Sequence, residues 1–136
     1  MNTGLMLVLL TAIGFGTWPI VSRFSGANNA WIAVSVMSVT AVLAAVSHMT
    51  KLSHMPQSKG LAALLAASVL HAIGFIAFSK LVADPQFGTS SYVPAAMTSM
   101  IAVTVLGGVI VFQEPFNWSK GVGIAFSLMG AWLLTR

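Results

Sequence analysis

The stretch GLAALLAASVLHAIGFIAFS, Gly60 to Ser79, decides the fold. It runs for 20 residues without a charged side chain. At about 1.5 Å per residue, a helix of that length crosses the roughly 30 Å of hydrocarbon in a bilayer. Four further apolar runs flank it, over approximately residues 4 to 22, 30 to 49, 92 to 112 and 119 to 135. The whole chain of 136 residues is 57% hydrophobic and 6% charged, far from the roughly 25% charged of an ordinary soluble domain. The expected class is therefore an all-α membrane protein with five transmembrane helices. Continuous apolar runs, rather than alternating stretches of about ten residues, disfavour a transmembrane barrel. The first run is read as a span and not a cleaved leader, because Met1 to Leu10 carries no basic residue and a small-x-small cleavage site followed by a soluble mature chain is absent.

Four links separate the runs: RFSGANNA, MTKLSHMPQSK, KLVADPQFGTSS and QEPFNWSK. Links this short make consecutive helices antiparallel neighbours, which predicts one compact bundle over residues 1 to 136 and leaves no room for a soluble catalytic domain. Five crossings put the termini on opposite sides. Lysines and arginines divide evenly between those sides, Lys51, Lys59 and Lys120 against Arg23, Lys80 and Arg136, so the positive-inside signal cancels. A chain with that balance is able to insert either way round. One sequence would then supply both halves of an inverted pair. The net charge of +4 comes from these scattered residues, which form no basic stripe and read as headgroup anchors rather than a nucleic-acid surface.

His71 is the one ionisable residue near the middle of a run, and ionisable groups in the membrane face a cavity or a partner rather than lipid. Two readings stand for it: contact with substrate or a relayed proton, and a neutral imidazole bonded to a neighbouring helix. Trp18 and Pro19 stand together late in the first run, where the proline frees a backbone carbonyl beside an indole. They read either as part of a solute path or as an interfacial anchor with a kink. Trp31, Trp118 and Trp132 lie close to run ends and read as anchors. The fourth run opens GTSSYVPAAMTSM, a polar, small-residue start that brings Tyr92, Thr98 and Ser99 onto a helix suited to a wet cavity, with Pro94 in its first turn. The alternative for those hydroxyls is bonding back to the chain.

AIGF occurs twice, at Ala12 to Phe15 and at Ala72 to Phe75, and the biased composition accounts for the match. Its physical content is a glycine inside a span. Gly14, Gly74, Gly107, Gly108 and Gly123 mark close helix packing, within the chain or between protomers. The acidic residues are Asp84 and Glu114, neither of them deep in a run. Glu114 precedes Pro115 at a helix carboxyl end that does not favour an anion, so a partner such as Lys120 is expected, as an ion pair or in coupling. His48, His54 and His71 make no ligand face with a carboxylate, no glycine-rich loop meets a lysine in phosphate-binding spacing, and no serine has a histidine and aspartate to pair with. No metal, cofactor or enzymatic reaction is expected. The chain has no cysteine.

The last third, from DPQFGTSSYVPAAMTSM through the apolar run closing on F-x-E-P and then K-G-x-G-I, resembles the end of an EamA-type unit of the drug/metabolite transporter superfamily. GFGTWPIVSRF is similar to that family's opening helix. The resemblance implies a transporter of small organic solutes, commonly ten helices in two inverted halves, of which this chain would be one. It further implies an antiparallel homodimer or a pair with a related subunit, in the inner or plasma membrane. The four-helix small multidrug resistance proteins are relatives of similar build, but their first-helix glutamate has no counterpart among Gly4 to Ser22. The expected function is secondary transport of a small organic metabolite or amphipathic compound by alternating access. The alternatives are a non-transporting membrane subunit of a larger complex and a subunit that flips lipid-linked precursors.

Overall fold

The computed structural model describes residues 3–51 and 56–136, so His54 lies outside the described residues. Among the described residues the secondary structure is helical without strands: α1 Thr3–Phe24, α2 Asn29–His48, α3 Ser58–Ala83, α4 Tyr92–Phe112 and α5 Trp118–Leu134, with a short 3-10 turn at Met49–Lys51. The all-α expectation holds. Helices α1 to α4 are each long and apolar enough to cross a membrane. Helix α5, at 17 residues, stands at the lower end of the roughly 17 to 25 that a span needs. No more than 6% of any of the four longer spans is buried inside the chain, so hydrocarbon is the solvent that suits their surfaces.

Local chemistry sets the helix ends. Asn28 caps α2, its Oδ1 accepting the Trp31 N–H at 3.0 Å, and Asn117 caps α5 by accepting the Lys120 N–H at 2.9 Å. Gly26, with φ of 63°, makes the turn out of α1 that a side chain would strain. Helix α4 stops at Gln113, a left-handed residue at φ 54°, and Pro115 prevents its resumption. The Gln113 side chain compensates locally, Nε2 donating to the Ile110 carbonyl at 2.8 Å.

The chain divides into two compact units, one comprising residues up to Pro19 together with Pro85–Arg136, the other Ile20–Asp84. In the first unit α4 packs along α5, and Val93 and Ala131 are buried. In the second, α2 packs along α3, with Ile32, Phe78, Ser79 and Val82 buried. Arg23 joins that second unit at the end of α3, where Nη1 donates to the carbonyls of Val82 at 3.2 Å and Asp84 at 3.4 Å. A cation there answers both the orphan carbonyls and the negative end of the helix dipole.

Candidate substrate groove

Helices α2 and α3 leave a groove of about 740 Å³ between them. The α3 wall is the stripe Leu64, Ala67, Ser68, His71, Ala72, Phe75 and Ile76, positions that recur at three- and four-residue spacing on one helix face. Opposite stand Ala33, Val34, Met37 and Ser38 of α2. Alanines at Ala33, Ala67 and Ala72 keep the two helices from filling the space, while Met37 and Phe75 give it polarizable and aromatic surface. Ser68 is spent on its own helix, Oγ donating to the Leu64 carbonyl at 2.8 Å. Among the described residues no Asp, Glu, Lys or Arg lines the groove.

His71 lies near the middle of α3 with its side chain exposed to that groove. Its ring stacks on Phe75, centroids 6.0 Å apart and planes 25° apart. Its ring nitrogens take part in no hydrogen bond among the described residues. The neutral-imidazole reading places a carbonyl or hydroxyl of a neighbouring helix beside His71, and among the described residues no such bond is formed. A polar group at membrane depth is costly until something bonds to it.

A second cleft, of about 360 Å³, lies in the other unit between α4 and α5. Thr104, Val105, Gly107, Gly108, Val111, Phe112, Glu114 and Lys120 line it, so four of the residues singled out in the sequence meet there. Lys120 Nζ stands 3.4 Å from Glu114 Oε2 and donates to the Pro115 carbonyl at 3.0 Å. The backbone N–H groups of Gln113 and Glu114 both donate to the Gly108 carbonyl. The Glu114 carboxylate rests against the bare Cα of Gly108, where an added Cβ would meet Oε2 at 3.1 Å. Here the polar groups satisfy one another and hold the link between two helices.

Trp18, Tyr92, Thr98 and Ser99 belong to the first unit and His71 to the second. Trp18 is half-buried beside the buried Pro19. Tyr92 begins α4 and packs edge-on against Phe87, ring centroids 5.3 Å apart. Thr98 is half-buried, and Ser99 bonds back to its helix, Oγ donating to the Ala95 carbonyl at 2.9 Å. A Cβ added at Gly14, Gly74, Gly107 or Gly123 would meet nothing within 4 Å, so among the described residues none of these four is a close contact. Gly108 is, and so is Gly121, whose added Cβ would lie 3.3 Å from the Phe116 ring. Trp31, Trp118 and Trp132 are all exposed close to helix ends, and the Arg136 guanidinium stands 4.0 Å over the Trp132 ring.

Met37, Ser38, Ser68 and Phe75 share the groove with His71 and were not singled out in the sequence. The recurrence of Leu64, Ser68, His71 and Phe75 every three or four residues was the available signal. It was hidden because the other faces of α3 are as apolar as this one.

Neither the curated proteins nor the solved structures offer a significant match to the chain. A profile of the EamA-like transporter family matches residues 2–136, nearly the whole sequence. Long apolar helices agree with that match, and the chain belongs to the EamA-like transporter family, membrane transporters of the drug/metabolite transporter superfamily.

Proposed function

We propose that the chain is a single EamA-like unit that works as half of a secondary transporter, carrying a small organic solute across the inner or plasma membrane by alternating access. Two copies in opposite orientations, or one copy and a related subunit, make the complete carrier. The observation that carries this reading is the open glycine surface at Gly14, Gly74, Gly107 and Gly123. Small residues in spans let helix backbones approach closely, and among the described residues an added Cβ at these four would meet nothing within 4 Å. The evenly divided basic residues support the antiparallel arrangement. Trp18, His71, Tyr92, Thr98 and Ser99 are the side chains we assign to the solute path. Glu114 and Lys120 hold the α4–α5 link.

Flux of candidate metabolites into liposomes containing the purified protein tests the transport reading directly. Saturable flux is expected, and its absence across a broad panel would move the chain to a non-transporting subunit. Reporters fused at the carboxyl terminus should appear on both sides of the membrane. A single orientation, with no oppositely oriented partner, would end the homodimer reading. Because an added Cβ at position 107 would meet nothing within 4 Å among the described residues, Gly107→Leu should leave insertion and folding intact while abolishing dimers in crosslinking.

A further inference from the structure

We infer that the α2–α3 groove binds an uncharged, planar aromatic solute that carries one hydrogen-bonding group, taken by His71. The inference rests on the reading of the chain as a carrier and names the class of its cargo. Three observations converge on that chemistry. Among the described residues the groove wall has no Asp, Glu, Lys or Arg, so an ion placed there would give up its hydration with no counter-charge from them to replace it. The stacked His71 and Phe75 rings, 25° from parallel, form a ledge on which a flat π-system lies well, with the Met37 thioether on the opposite wall. The His71 ring nitrogens have no partner among the described residues, and a neutral imidazole offers one donor and one acceptor to an amide, a phenol or a ring nitrogen. A groove of about 740 Å³ also falls in the range of sites for small organic molecules.

Three probes of one shape separate the charge states: naphthalene-2-carboxamide, which is neutral, naphthalene-2-carboxylate, an anion, and naphthalene-2-carboxamidinium, a cation. Equilibrium binding to the full-length protein in lipid nanodiscs is measured against empty nanodiscs, which removes simple partitioning. The carboxamide is expected to bind saturably and at least about tenfold more tightly than either charged probe. His71→Leu should weaken it about tenfold, Phe75→Leu somewhat less, and His71→Gln, which keeps a donor and an acceptor, should retain most of the binding. Equal or tighter binding of a charged probe overturns the inference. So does a carboxamide that fails to saturate, or that binds His71→Leu as it binds the parent protein. Loss of the dimer in His71→Leu with carboxamide binding retained would assign the imidazole to a contact between protomers and likewise overturn it. If His71→Leu does not fold, Phe75→Leu and His71→Gln carry the comparison. Binding in nanodiscs needs no transport, so neutral-selective binding without liposome flux sinks the carrier reading alone. Flux of charged solutes with no carboxamide binding sinks this inference alone.

Discussion

The α2–α3 groove and the α4–α5 cleft carry polar groups of opposite standing. In the cleft, Glu114, Lys120 and the Gly108 carbonyl find their partners within a few residues of chain, and the cleft closes on itself electrostatically. In the groove, the His71 ring stacks on Phe75 and makes no hydrogen bond among the described residues. At a membrane interface a satisfied polar cluster is structure. At membrane depth an imidazole without a hydrogen bond among the described residues is the candidate we assign to the solute. The distinction separates residues that make the bundle from residues that use it, although both sets are polar exceptions in an apolar chain.

Mutations sharpen the contrast, and the largest stability loss should come from a residue that makes the bundle. Arg23→Ala removes the donor to two carbonyls at the end of α3 and should cost about 2 kcal/mol, read as a lowered unfolding midpoint in detergent. His71→Leu should do the reverse, lowering flux of a neutral solute about tenfold, or about 1.4 kcal/mol, while the unfolding midpoint stays level or rises. A destabilised His71→Leu with normal flux would erase the distinction between groove and cleft. Asn117→Ala, which strips the cap from α5, should cost about 1 kcal/mol in stability and nothing in solute affinity. Smallest of all, Glu114→Gln should cost about 0.5 kcal/mol, since the pair it breaks is well exposed, and a collapse of transport in that variant would move Glu114 from link to coupling.

Much of the architecture was legible from hydropathy, because a span must be apolar over a fixed length. The fourth run was read as 92 to 112 and α4 is Tyr92–Phe112. The third was read as 60 to 79, whereas α3 extends over Ser58–Ala83. Hydropathy marks where lipid contact ends, while hydrogen bonding continues through Lys59 and Lys80, whose long stems let their ammonium groups reach the headgroups. The groove was legible only at His71, the one residue whose chemistry stands out from its surroundings. Its neighbours are ordinary apolar residues and serines, and which face of α3 meets α2 is a packing outcome that a uniformly apolar helix does not advertise. The glycines divided similarly. Sequence marks all of them as small, and only the fold separates Gly108, pressed against a carboxylate, from Gly107, one residue away and open.

That carboxylate couples two kinds of change that ordinarily stay apart. Because Glu114 lies on the bare backbone of Gly108, a methyl group added to an apolar helix has to displace a negative charge, and with it the charge partner of Lys120. Gly108→Ala is therefore an electrostatic mutation made with a hydrocarbon. Its effect should depend on salt in a way that Gly107→Ala, one step around the same helix, does not.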